Sequence, residues 1–190
     1  MSDKNSPLIL GTEPIGKLLT QYAIPAIIAM TASSLYNMAD SIFIGHGVGA
    51  MGIAGLALTF PLMNLAAAFG SLVGVGASTL VSVKLGQKDY EGANNVLGNV
   101  FMLNLIMGVA FSVVFLLFLD PVLYFFGASE QTISYARDYM RIILYGNVIT
   151  HMYLGLNSVL RSSGYPKMAM FATLLSVVVN CLLNPLFIFV

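Results

Sequence analysis

The chain is short of charge. Its 190 residues include eight acids and eight bases, a charged fraction of 8%, and no tryptophan. That is too little charged surface to keep a domain of this size in water. The formal net charge is zero and no run of Lys or Arg occurs, which removes the electrostatic basis for binding nucleic acid. Cys181 is the single cysteine, so an internal disulfide and every CxxC metal or redox motif are excluded. There is no Walker A loop, HExxH pair or GxSxG elbow, and nothing in the sequence points to an enzyme. Gly47, Gly49 and Gly52 do spell GxGxxG. That fingerprint needs a soluble strand before it and an acid about 20 residues after it. Here apolar sequence stands on both sides, and the segment reads as a flexible interfacial loop.

What is present is apolar residues, 58% of the chain, with a mean hydropathy of +0.87. A membrane-spanning helix needs about 20 mostly apolar residues. Five stretches meet this length: 17–44, 54–83, 93–119, 133–160 and 168–190. The expected fold is therefore an all-α bundle of about five transmembrane helices over 17–190, with the lipid bilayer as its solvent. Residues 1–16 are polar and mixed in charge. The apolar stretch after them runs about twice the length of a signal h-region, so it reads as an uncleaved first span.

Lys4, Lys17, Lys84, Lys88, Arg161 and Lys167 fall on one side of such a bundle, against Arg137 and Arg141 on the other. By the positive-inside rule, 1–16 is a cytoplasmic segment of a multi-pass protein of the cell (inner) membrane. Arg137, Asp138 and Arg141 read as an interfacial anchor with an i,i+3 ion pair. The sequence stops in apolar LFIFV after an odd number of spans, which reads as the front part of a longer protein.

Polar residues inside the spans are the functional signal. Asp40 is the only carboxylate set well inside a long apolar stretch, and an ionised side chain at a helix centre costs at least about 2.5–3.5 kcal/mol. Two readings stand: a hydrated helix-end residue beside the Gly45–Gly49 loop, or a buried acid with a partner. Helical spacing puts Ser33, Asn37 and Asp40 on one face, with Tyr36 at its edge. The fifth span repeats the pattern with Thr173, Ser176, Asn180 and Asn184. The fourth carries two stripes, Asn147–His151–Ser158 and Thr150–Tyr153–Asn157–Arg161. Three such faces point to a shared polar cavity. With the N-terminus inside, the first and fifth spans both run outward. Asn184 stands seventeen residues past Lys167, about 26 Å along the helix, and so reaches the outer half with Asp40. His151 is either a hydrogen-bonded core residue or a proton relay. In the second span Ala66, Gly70, Gly74, Ser78 and Ser82 recur every four residues, a ladder for close helix packing. Pro25 and Pro61 should bend their helices.

These residues resemble a known family. IPAIIAMTASSLYNMADSIFIG, with Pro25 and an acid fifteen residues later, is similar to the opening helix of MATE (multidrug and toxic compound extrusion) transporters. GVGASTLVSVKLGQKDYEGA, NSVLRSSGYPKMAM and VVNCLLNPLFIF look like later parts of the same pattern, so the likeness runs along nearly the whole chain. It implies most of one N-terminal lobe of a twelve-span antiporter, with the C-terminal half as its missing partner. The implied activity is export of organic, often cationic, small molecules by alternating access, coupled to H⁺ or Na⁺ and needing no cofactor. The family's cation site maps onto Asp40, Asn180 and Asn157, with Na⁺ placed at Asp40 and Asn180; Asn37 and Tyr36 join the cavity and Pro25 the helix bend. The family's second acid falls on Asn184, an amide. Two close carboxylates share a proton; with Asn184 that like-charge repulsion is absent, while an amide oxygen still suits a hard cation. A lipid-linked oligosaccharide flippase of the wider superfamily, or a non-transporting membrane scaffold, are the other readings.

Overall fold

The computed structural model describes residues 13–189 and is helical almost throughout. Residues 1–12 of the expected cytoplasmic segment, Lys4 among them, and Val190 lie outside the described residues. The helices are α1 (Ile15–Gly47), α2 (Ala50–Gly86), α3 (Tyr90–Leu117), α4 (Leu119–Phe125), α5 (Ile133–Ser162) and α6 (Pro166–Phe189). The five expected spans appear as the five long helices, each close to its expected limits. The short α4 was not foreseen: the segment around Asp120 and Pro121, read as a connection, forms two helical turns, with Asp120 and Pro121 in the first, where an acid and a proline are both favoured. The connection between the first two expected spans, 45–53, also shrinks. α1 runs on to Gly47 and α2 begins at Ala50, leaving a tight turn in which Gly49 takes φ +85°, a conformation open to glycine. The GxGxxG letters thus join two helices, with no strand among the described residues.

Among the described residues, four helices (α1, α2, α3 and α6) are long and apolar enough to cross a membrane. The fourth expected span, α5, has the length but carries Arg137, Asp138, Arg141, Asn147, His151 and Asn157. Its place in the bundle explains how it tolerates them. α5 is the central helix, packed on α2, on α3 and more lightly on α6. It buries Met140, Leu144, Asn147, His151 and Val159 against its neighbours, away from lipid.

The α2 ladder faces α5. Gly74 meets Gly155 backbone to backbone: a Cβ at position 74 would stand 2.5 Å from the Gly155 Cα and carbonyl oxygen. Gly70 lies against His151 and Leu154. Near the other end Ser82 donates to the Ser162 carbonyl at 3.3 Å. Small residues let the two axes approach closely, and dispersion over that length replaces the hydrophobic drive that lipid cannot supply. One apolar cluster, including Leu62, Leu123, Met140 and Leu144, joins α2, α4 and α5; a second joins Val81, Val100 and Val159. α1 is different. It packs chiefly on α6, touches α2 little, and buries only Pro25 and Ala29. Its Ile27, Met30, Leu35 and Met38 are exposed, as suits a helix in lipid.

Candidate functional site

Asp40 lies about two turns before the end of α1, not at its hydrated tip. The partner it needs comes from the far end of the sequence. The Asn184 amide Nδ2–H donates to Asp40 Oδ1 at 2.8 Å, joining α1 to α6. A charge-assisted bond of this kind offsets part of the cost of withdrawing a carboxylate from water. Both side chains are half-buried, and the Tyr36 hydroxyl also reaches the Asn184 side chain. The meeting agrees with the depth expected from two helices running in one direction.

Beside this pair opens a cavity of about 690 Å³ between α1, α2, α5 and α6. Asp40, Asn184, Tyr135, Asp138 and Tyr139 supply its polar groups, and Ile44, Leu56 and Ile142 part of its apolar wall. Its size falls in the range of small-molecule sites, which combine apolar walls with a few convergent polar groups. Tyr139 lies within electrostatic range of both Asp40 and Tyr36. Neither Tyr139 nor Tyr135 was recognised from sequence as part of a site. Both follow the turn at 126–132 near the start of α5, a region that reads as an interfacial anchor.

The remaining candidates are dispersed. Asn180 is exposed and donates at 2.9 Å to Ser176 of its own helix, so it is Asn184, not Asn180, that the structure brings to Asp40. Asn157 bonds the Ala169 carbonyl at 3.1 Å and accepts from Arg161 at 2.8 Å, at the junction of α5 and α6. It lines a smaller cavity of about 420 Å³ with Leu97, Tyr153 and Leu156, in which no carboxylate stands. Asn37 is exposed on α1, and Pro25 is buried within a helix that continues past it.

Of the three polar stripes, Asp40 and Asn184 line the larger cavity, and Tyr153 and Asn157 line the smaller one. The stripes of α5 divide. Tyr153 and Asn157 face α6, with Tyr153 hydroxyl and Thr173 hydroxyl 2.7 Å apart. Asn147 and His151 face inward to the α2–α3–α5 core, where Asn147 donates at 3.4 Å to Ser112 and Ser112 to the Leu144 carbonyl at 2.8 Å. His151 is fully buried against Phe111, Gly70 and Gly108. The Ala66 backbone lies near its ring, yet neither ring nitrogen has a hydrogen bond of good geometry.

The i,i+3 pair expected on α5, Asp138 with Arg141, is not found among the ion pairs of the described residues. Arg137 turns to α4 and grips Asp120 with two bonds, Nε to Oδ1 at 2.6 Å and Nη2 to Oδ2 at 2.7 Å. A bidentate, charge-assisted fork is the strong form of such a pair. It holds the Asp120 carboxyl below the usual carboxylate range; slight burial opposes this, and the charges of Arg137 and Arg141 add to it.

A multi-pass helical membrane protein with an acid–amide pair beside an internal cavity is the class that fold and site define. The sequence matches the MatE family over residues 25–186. The chain belongs to that family, whose members are transporters and not enzymes. It is 31% identical over 175 residues to the multidrug export protein MepA of Staphylococcus haemolyticus, covering 92% of this chain and 39% of that protein. Among solved structures, an outward-facing multidrug resistance MATE transporter of the MOP superfamily superposes with a TM-score of 0.91 at 31% identity, covering 99% of this chain and 41% of that one. A MOP superfamily transporter from Pyrococcus furiosus, described as having a binding pocket of reverse polarity that suggests a different function, gives 0.90 at 32% identity, with 99% and 41% covered. The chain thus spans about two-fifths of the length of the relatives it matches.

Proposed function

We propose that this chain is the N-terminal lobe portion of a cation-coupled antiporter that exports organic compounds. The observation that carries the reading is the Asp40–Asn184 bond across α1 and α6, at the edge of the 690 Å³ cavity. A half-buried carboxylate held by one amide N–H keeps lone pairs free for a proton or Na⁺. An arriving cation competes with that N–H for the charge, so ion binding and the α1–α6 contact are linked. A ligand drives alternating access only through different affinities for two states. The α1–α6 bond, which an ion would break or remodel, supplies such a difference. The orientation we favour puts the N-terminus in the cytoplasm, on the Lys/Arg bias. The second wall of a central cavity would come from a C-terminal lobe.

A flippase for lipid-linked oligosaccharides is disfavoured. Such a cavity should be cationic, and the one here is lined by Asp40 and Asp138 with no Lys or Arg among its described lining residues. The fold alone does not choose the substrate. The test is Asp40→Asn in the full-length protein. Efflux of ethidium from cells should fall to the level of vector-only cells, while the amount and thermal stability of the protein in the membrane stay as before. Unimpaired efflux would sink the proposal.

A further inference from the structure

Asp138 has no place in the coupling scheme above, yet it lines the same cavity as Asp40. Its charge reaches the neighbouring Arg137, but the two make no ion pair. Arg137 is committed to Asp120 on α4, and the Arg141 charge also acts on Asp120. No hydrogen bond or ion pair to Asp138 occurs among the described residues. Near its start α5 therefore turns Arg137 to α4, while Asp138, an exposed carboxylate, lines the cavity. Tyr135, Asp138, Tyr139 and Ile142 follow one another at helical steps along that cavity wall. A carboxylate that shares a cavity with two tyrosines and aliphatic side chains suits an organic monocation with an apolar body, through charge attraction and cation–π contact.

We infer that Asp138 is the counter-charge that selects cationic substrates, leaving Asp40 with Asn184 to the coupling ion. The inference rests on the transport reading and divides the work between two carboxylates. It makes up for the acid that Asn184 lacks: ion and substrate need not compete for one group.

The experiment is equilibrium binding to purified full-length protein with two probes of similar shape, tetraphenylphosphonium and the uncharged triphenylphosphine oxide. For Asp138→Asn, tetraphenylphosphonium should bind about tenfold more weakly or worse, the scale of one lost charged contact. Triphenylphosphine oxide should change by no more than about twofold, well under the 1.4 kcal/mol that a factor of ten represents. Asp138→Glu should recover most of the cation affinity. Equal losses for both probes, an unchanged cation affinity, or wild-type protein that does not bind tetraphenylphosphonium would each overturn the inference. Failure of the transport reading shows elsewhere: efflux by Asp40→Asn would persist, whichever way the two probes divide.

Discussion

The helices α2, α3 and α5 form a tight group, whereas α1 and α6 make a pair laid against it. In the first group small residues bring backbones into contact, and Asn104, Asn147 and His151 are almost wholly enclosed. In the second, α1 buries only two residues, and its contact with α6 includes one hydrogen bond between half-buried side chains. Both regions contain polar residues inside apolar helices, and the sequence alone does not distinguish them. The contrast teaches that polarity in a span has two uses. Enclosed polar groups hold a rigid frame, and half-open ones on a helix that buries little stay available to ligands. Elements that move are drawn from the less stable parts of a fold, and here that description suits α1 and α6.

Three changes would break or sharpen this contrast. The largest effect is expected from Gly74→Val, which drives a branched side chain into the Gly155 backbone where no flexible atom can yield. It should cost roughly 3 kcal/mol, the upper end for overpacking, read as a lowered thermal midpoint in detergent and reduced yield of folded protein. A stability equal to wild type would mean that α2 and α5 are not the frame. Asn184→Leu comes next. It removes the bond to Asp40 but touches a pair that buries little, so stability should fall by about 1 kcal/mol while ion dependence of transport changes strongly. A loss of stability as large as that of Gly74→Val would make α1 and α6 part of the frame after all.

The smallest effect concerns the turn between α2 and α3. Asp89 accepts from Lys84 at 2.8 Å and caps α3 through Gly92 N–H at 2.8 Å. The Lys84 bond and then the Gly92 bond hold its carboxyl below the usual range. Because the folded value is the lower one, the stabilisation is present above the unfolded value, 3.8, and is lost as pH falls through the folded value. Asp89→Ala should therefore lower the thermal midpoint slightly at pH 7, and the difference from wild type should vanish in acid. A gap that persists at low pH would assign the effect to packing.

Much of the site was readable in advance because it depends on spacing along single helices. Asp40 stood out by its cost in hydrocarbon, and Asn184 by its step along α6 and its depth. Asn180 shares that stripe but has no bond to Asp40, since one turn of helix separates residues on the same face by about 5 Å. The polar stripes of α5 could not be assigned, because which neighbour each one faces depends on packing. The Arg137–Asp120 pair went unforeseen for a related reason: Asp120 sits on α4, a helix short enough to pass for a loop.

Composition and hydropathy by themselves determined that this is a membrane protein of about five long helices with one costly acid. Those properties follow from the length of apolar stretches and the price of charge in lipid, and both are local. Tertiary structure alone decided that α5 sits at the centre, that Arg137 turns to Asp120, and that Asp138 lines the cavity beside Asp40. Each of these depends on how helices rotate against one another. A rotation of half a turn moves a side chain from lipid to core without altering a letter of the sequence.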